Sequence, residues 1–207
     1  MARAMTAEDL YAIMWIGECA VSPDGTQVAF TVSRLDREQD ATLTSIWAVP
    51  AAGGRARPFT TGAHDASPRW SPRGEKITLM CRLAGNQICL INPDGSGLQQ
   101  LTTLGSNEDP AWSPDGQRIA FAWQKSQTSY FDIYVHDLAT GRNDQLTQNE
   151  SNNERPTWAP DGRHIAFESP RRGSTHIYSM LADGTKARQL TQTGKNQGPA
   201  WSGYTEH

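Results

Sequence analysis

The chain has 207 residues, with 19 Lys and Arg against 22 Asp and Glu for a net charge of −3, and neither sign runs long. That balance is poor footing for a nucleic-acid or anionic membrane-surface partner, which needs a concentrated basic patch. No stretch approaches the roughly 18 apolar residues of a membrane span. Met1–Met5 lead into polar Thr6, Glu8 and Asp9 without the apolar core of a secretory signal. The expected address is therefore the cytoplasm, or the periplasm where a leader has been removed.

Residues 1–15 read as an N-terminal capping segment. Thr6 suits a helix N-cap, Glu8 and Asp9 suit the first turn, and Leu10, Tyr11 and Met14 would form the apolar face of a short helix covering a sheet edge. A repeat begins beyond it. Val21-Ser22-Pro23-Asp24-Gly25 recurs as Trp70-Ser71-Pro72-Arg73-Gly74, Trp112-Ser113-Pro114-Asp115-Gly116 and Trp158-Ala159-Pro160-Asp161-Gly162, with Trp201-Ser202-Gly203 as a shortened copy. Each is a tight turn: Pro presets the second position, Asp tolerates the third and Gly takes a left-handed fourth. A β-type run follows each turn, at Val28-Ala29-Phe30, Ile77-Thr78-Leu79, Ile119-Ala120-Phe121 and Ile165-Ala166-Phe167, so each copy is a hairpin.

A third apolar run comes next: Ile46–Val49, Ile88–Ile91, Ile133–Val135 and Ile177–Met180. A Gly-containing turn and a fourth run ending in Phe59-Thr60, Leu101-Thr102, Leu146-Thr147 or Leu190-Thr191 complete each unit. The turn-bearing residues Val21, Trp70, Trp112, Trp158 and Trp201 fall 42 to 49 residues apart, with Leu35–Leu43 a solvated hairpin-loop insertion in the first unit. Four short strands at a period in the forties are the grammar of a propeller blade. The fold class is therefore all-β: a β-propeller of four-stranded antiparallel blades, four complete repeats plus a partial fifth, with a short N-terminal helix. The repeats run at about 16–65, 66–107, 108–153, 154–196 and, partially, 197–207. The recurring Trp is expected in the wedges between blades, where burying 150–250 Å² contributes about 4–6 kcal/mol before entropy.

Cys19, Cys81 and Cys89 are an odd set with no C-x-x-C, which supports neither a disulfide scaffold nor a zinc site. Cys81 and Cys89 lie symmetrically about Gly85 and could face each other across a hairpin. They are read as two buried thiols, with their redox state left open.

These motifs resemble a known family. Pro-x-Trp-Ser-Pro-Asp-Gly followed by Ile-Ala-Phe, Ile-Tyr, Asp-Gly and Leu-Thr is similar to the TolB-like β-propeller repeat, a WD40-like repeat of bacterial proteins, over about Cys19 to Trp201. The beginning, Met5–Tyr11 with Val21–Gly25 and Val28–Val32, resembles the propeller that precedes the hydrolase domain of prolyl oligopeptidase-family acylaminoacyl peptidases. Propellers of the first kind have six blades and of the second more. Against a peptidase, the sequence has no Gly-x-Ser-x-Gly elbow and no His-Glu-x-x-His pair, and His64, His136, His164, His176 and His207 read as surface residues on loops or strand ends. Against a full TolB, the expected N-terminal α/β domain and export signal are missing.

The residues ahead of each Trp align. Asp65, Asn107, Asn153 and Asn196 stand five places upstream, Glu108, Glu154 and Gln197 four, and Asp109 and Arg155 three. On innermost strands they would ring one mouth of the central channel, where propellers of this resemblance take protein segments; the competing reading is that they cap turns. The acids lack the clustered spacing of a calcium loop. The sequence thus reads as a non-catalytic binding or scaffold module for a protein or peptide segment, with no cofactor, no metal, no nucleic acid and no membrane insertion. The alternatives are a detached gating propeller of a serine peptidase and a carbohydrate-related propeller. Bare first and last blades also predict a homodimer that completes a propeller ring.

Overall fold

The computed structural model describes residues 6–83, 85–148 and 151–202. Residues 1–5 of the capping segment and 203–207 of the partial repeat, with Gly203 and His207, lie outside the described residues. Four antiparallel sheets of four strands follow one another along the chain, each in simple meander order. The first blade is β1 (Met14–Val21), β2 (Gln27–Asp36), β3 (Ala41–Pro50) and β4 (Arg57–Pro58). The second is β5 (Ala66–Trp70), β6 (Ile77–Arg82), β7 (Asn86–Ile91) and β8 (Gln99–Gln100). The third is β9 (Ser106–Trp112), β10 (Arg118–Gln124), β11 (Asp132–Asp137) and β12 (Asn143–Gln145). The fourth is β13 (Glu154–Trp158), β14 (His164–Arg172), β15 (Ser174–Leu181) and β16 (Arg188–Gln189). The innermost strands β1, β5, β9 and β13 pack in succession, so the blades form an arc around a channel.

Each Pro-containing turn closes as its residues require. The N–H of Gly25, Gly74, Gly116 and Gly162 donates to the carbonyl three residues back, and these glycines hold φ between 65° and 73°. Ser22, Ser71 and Ser113 accept through Oγ from the N–H of Gln27, Lys76 and Arg118, pinning the turn to the next strand. Ala159 has no hydroxyl with which to do so. A second device closes every blade. Thr60, Thr102, Thr147 and Thr191, just past the short fourth strand, accept through Oγ1 from the N–H of Ile46, Ile88, Ile133 and Ile177 at 2.9–3.1 Å.

Alternation along the second strand fills the wedges. Ala29, Ile46, Ala48 and Phe59 of the first blade meet Ile77, Leu79, Cys81, Cys89 and Ile91 of the second. Ile88 and Leu90 meet Ile119, Phe121 and Tyr134, and Ala120, Ala122, Ile133 and Val135 meet Ile165, Phe167, Tyr178 and Met180. In the Ile-Ala-Phe run the large residues therefore face the preceding blade and the small one faces the following blade.

Several expectations need correction. Cys81 and Cys89 are joined in a disulfide within the first wedge. The hairpin register pairs Cys81 with Gln87 and Leu79 with Cys89, so the two sulfurs meet diagonally across the strands. Leu35–Leu43 is a hairpin with an exposed tip at residues 37–40; Leu35 pairs with Thr42 and Asp36 with Ala41, and only Leu43 is buried, so the strands run further into the insertion than a loop would. The N-terminal helix is a 3₁₀ turn over Ala7–Ala12, capped by Thr6 and Asp9, and Leu10 and Tyr11 remain exposed while Met14 belongs to β1. His136 and His176 are buried, hydrogen-bonded through Nδ1 to Asn143 Oδ1 and Thr191 Oγ1. The wedges are filled mainly by Ile, Leu and Phe; of the recurring Trp, Trp158 is buried in the last wedge as expected, while Trp70 and Trp112 pack half-buried against theirs at the channel.

Candidate functional site at the channel

Those Trp side chains do more than pack. Trp70 Nε1 donates to the Ala20 carbonyl, Trp112 Nε1 to Arg69 and Trp201 Nε1 to Thr157, at 3.0–3.2 Å. Each indole thus reaches the innermost strand of the preceding blade, one place before that blade's own Trp or its equivalent Val21. Trp158 breaks the series: its Nε1 is buried without an acceptor, and the Arg118 guanidinium lies 4.6 Å over its ring. Together the innermost strands line a cavity of about 760 Å³.

A repeated backbone feature shapes this channel. Ser67, Asp109, Arg155 and Gly198, each three residues before a Trp, hold φ of 54°, 53°, 51° and 62°, and a Pro follows every one. Only Gly adopts this region without cost, and a residue before Pro is restricted further. Register shifts in β5, β9 and β13 fall at the same place, so each of these innermost strands carries a bulge that re-aims one side chain.

The bulges bring charged groups together. Asp109, Arg155, Glu18 and Arg69 all line the cavity. Arg69 Nη1 bonds Glu18 Oε2 at 2.9 Å, and Arg155 Nη1 stands 3.5 Å from Glu168 Oε2, which also accepts from the Gly198 N–H at 2.8 Å. Glu108 Oε1 accepts from Asn86 Nδ2 at 2.9 Å and lies 3.3 Å from Ser106 Oγ. Burial, then the neighbouring Glu108 charge, pushes the Asp109 carboxyl above its ordinary value, although Arg155 pulls the other way. Burial likewise raises Glu154, helped by Glu168, Asp109 and Glu108. Carboxyls pushed upward in a concave, partly desolvated place are common at functional sites.

The aligned residues divide into two groups. Asp65, Asn107 and Asn153 are buried. Asn107 Nδ2 donates to the Leu104 and Asn86 carbonyls and to Gln87 Oε1; Asn153 Nδ2 donates to Ser151, Phe131 and Asp132 Oδ1. These three tie the loop between blades. Asn196 makes the corresponding loop bond to the Thr193 carbonyl, and Gln197 is exposed. Glu108, Asp109, Glu154 and Arg155 belong to a charged cluster of seven. Three members of the cluster escape the Trp alignment. Glu18 is three places before Val21, in the copy that lacks Trp; Arg69 is one place before Trp70; Glu168 is the partner of Glu154 across β13 and β14. Among the described residues no group of His, Cys, Asp or Glu is arranged to hold a metal ion.

The family model of the TolB beta propeller domain matches residues 103–206. The chain belongs to that family. This TolB-family propeller superimposes on a putative TolB from Agrobacterium tumefaciens with a TM-score of 0.75 at 23% identity, covering 86% of this chain and 62% of that one. It is 29% identical over 107 residues to the uncharacterized peptidase YuxL of Bacillus subtilis, and 32% identical over 102 residues to dipeptidyl-peptidase 5 of Porphyromonas endodontalis. The first match takes in 50% of this chain and 16% of the relative, the second 48% and 15%. The chain therefore spans only a small part of the curated relatives it matches. No helix among its described residues is long and apolar enough to cross a membrane.

Proposed function

We propose that this TolB-family propeller is a non-catalytic binding module whose channel mouth takes a protein or peptide segment carrying Lys or Arg. The observation that supports it most is the repeated left-handed bulge, which holds Asp109 and Arg155 in costly backbone conformations beside half-buried carboxyls. The cavity lining balances Glu18 and Asp109 against Arg69 and Arg155, and the nearby Glu108, Glu154 and Glu168 add the acidic excess to which a cationic segment at the mouth is suited. Fluorescence anisotropy with a panel of labelled Lys- and Arg-containing peptides tests this. The expected result is salt-sensitive binding that Asp109→Lys abolishes and Asn196→Ala leaves intact. Failure of every peptide in the panel to bind overturns it.

A second reading, the gating propeller of a serine peptidase, draws support from the two curated relatives that are named peptidases. Under either reading the chain hydrolyses nothing by itself. A serine-directed fluorophosphonate probe is expected to leave it unlabelled, and covalent labelling of any serine would reverse that expectation. The disulfide between Cys81 and Cys89 favours an oxidising compartment over the cytoplasm. Thiol titration of the denatured, unreduced protein is expected to find Cys19 alone; three reactive thiols would contradict it.

A further inference from the structure

The channel wall is built in levels. All four innermost strands, β1, β5, β9 and β13, run toward their Pro-containing turns and pack in succession, so residues at one phase of the repeat lie at one depth. Charge is confined to the loop end of that depth. Among the described residues the cavity is lined by four charged side chains, Glu18, Arg69, Asp109 and Arg155. Glu18, Asp109 and Arg155 each stand three residues before Val21, Trp112 or Trp158. Arg69 starts one residue before Trp70, but its guanidinium bonds Glu18 Oε2 at 2.9 Å and so brings its charge to the same level. Glu168 joins that level through Arg155 Nη1 and the Gly198 N–H, and Glu108 and Glu154 stand one residue nearer the loops.

The next level is apolar. Val21, Trp70, Trp112 and Trp158 line the cavity there, with Pro23 and Pro72 beyond them toward the turns. Trp70 and Trp112 give their Nε1 protons to the Ala20 and Arg69 carbonyls, so what they offer a ligand is half-covered ring surface. The turn aspartates add no charge to this end of the lining. Asp24 accepts from Ser22 Oγ and the Thr26 N–H, and Asp115 from Ser113 Oγ and the Gln117 N–H, each within its own turn.

Three residues separate the two levels along each strand, which is about 10 Å at about 3.3 Å per residue, and slightly less across a bulge. A ligand in extended or polyproline II form advances by nearly the same amount, about 3.1–3.4 Å per residue. Cation and apolar group on such a ligand can therefore meet their levels together only at one spacing.

We infer that the channel reads a two-part segment: a Lys or Arg at the charged level and a large apolar side chain, such as Leu or Phe, about three residues away at the Trp level. This rests on the reading of the channel as a site for a cationic segment, and adds that charge alone does not define the ligand. The carboxylates set which way the segment enters, and the indole faces take its apolar group out of water. Covering that group is expected to tighten binding about tenfold or more.

Fluorescence anisotropy of the full chain with labelled, otherwise Ala- and Ser-based peptides is the test. Each peptide carries one Lys and one Phe, placed one, three or six positions apart and in both orders. In one order the three-position peptide is expected to bind about tenfold tighter than the others, and replacing its Phe by Ser should remove the gain. The same peptide, unlabelled, should shield the protein's tryptophan emission from acrylamide, and the Phe-to-Ser version should not. Affinity that follows Lys alone, whatever the place of Phe, overturns the inference and leaves the cationic reading standing. Equal binding by a Phe peptide without Lys overturns both, as does the failure of every peptide to bind.

Discussion

The first and third blades follow the same four-strand plan and bury one face alike, but differ on the other. In the third, Ile119, Ala120, Phe121, Ile133 and Val135 are buried because a blade lies on each side. In the first, Ala29, Ile46 and Ala48 are buried toward the second blade, while Val28 and Phe30 on the other face are half-covered and β1 is largely exposed. The pattern of large and small residues is alike in both. Burial in a repeat array is a property of the joint between units, so the same residue type contributes very differently in the middle of the array and at its end.

The widest gap between the two blades is expected from their matched phenylalanines. Phe121→Ala empties a fully enclosed site beside Tyr134 and should cost about 3–5 kcal/mol in denaturant unfolding. Phe30→Ala should cost less than half as much; equal losses would show that something covers the first blade in solution.

The loop residues that resemble one another give the next contrast. Asn153→Ala leaves buried Asp132 short of a donor and breaks two bonds to backbone carbonyls, for an expected loss of about 1–3 kcal/mol. Asn196→Ala lies at the open end, where one loop bond is lost, and should stay within about 0.5 kcal/mol. Thermal melts of the two variants decide it, and a loss for Asn196→Ala as large as for Asn153→Ala would mean the fourth blade is covered.

Smaller effects belong to the channel. The carboxyl of Asp109 holds its proton more tightly in the folded protein than in the unfolded chain. Its charge therefore weighs against folding at neutral pH, and that deficit is relieved as pH falls through the raised pKa. Asn tolerates the same left-handed conformation, so Asp109→Asn should melt above the wild type at neutral pH. The difference should close below about pH 4, where both side chains are neutral. A melting temperature lower than wild type at neutral pH would show that the attraction to Arg155 outweighs burial.

The smallest expected change repairs the fourth repeat. Ala159→Ser restores the hydroxyl that Ser113 offers to the Arg118 N–H, and should add about 0.5–1 kcal/mol in denaturant unfolding. No gain would mean that buried Ala159 has no room for the oxygen.

The four-blade plan was legible because its signals are local. Ser-Pro-Asp-Gly closes a turn within four residues, Ile-Ala-Phe sets the alternation of one strand, and both recur often enough to fix the period. The charged cluster was legible in part. Glu108, Asp109, Glu154 and Arg155 fall out of alignment on Trp, but Glu18 sits in the copy without Trp, and Glu168 joins them only through strand pairing. Nothing about Ser67 or Arg155 as residue types announces a left-handed bulge; only Gly198, at the same phase, has the freedom that such a position asks for.

By itself the sequence determined the strands, the turns and their recurrence, since these depend on residues a few places apart. The tertiary structure decided which copies of that pattern are buried, that Cys81 meets Cys89 on a diagonal, that Asn107 and Asn153 turn inward, and that Asp109 and Glu154 hold their protons more tightly. Each of these depends on a neighbour brought close by strand pairing or blade packing, and desolvation and Coulomb energy respond to that distance in space, not to separation along the chain.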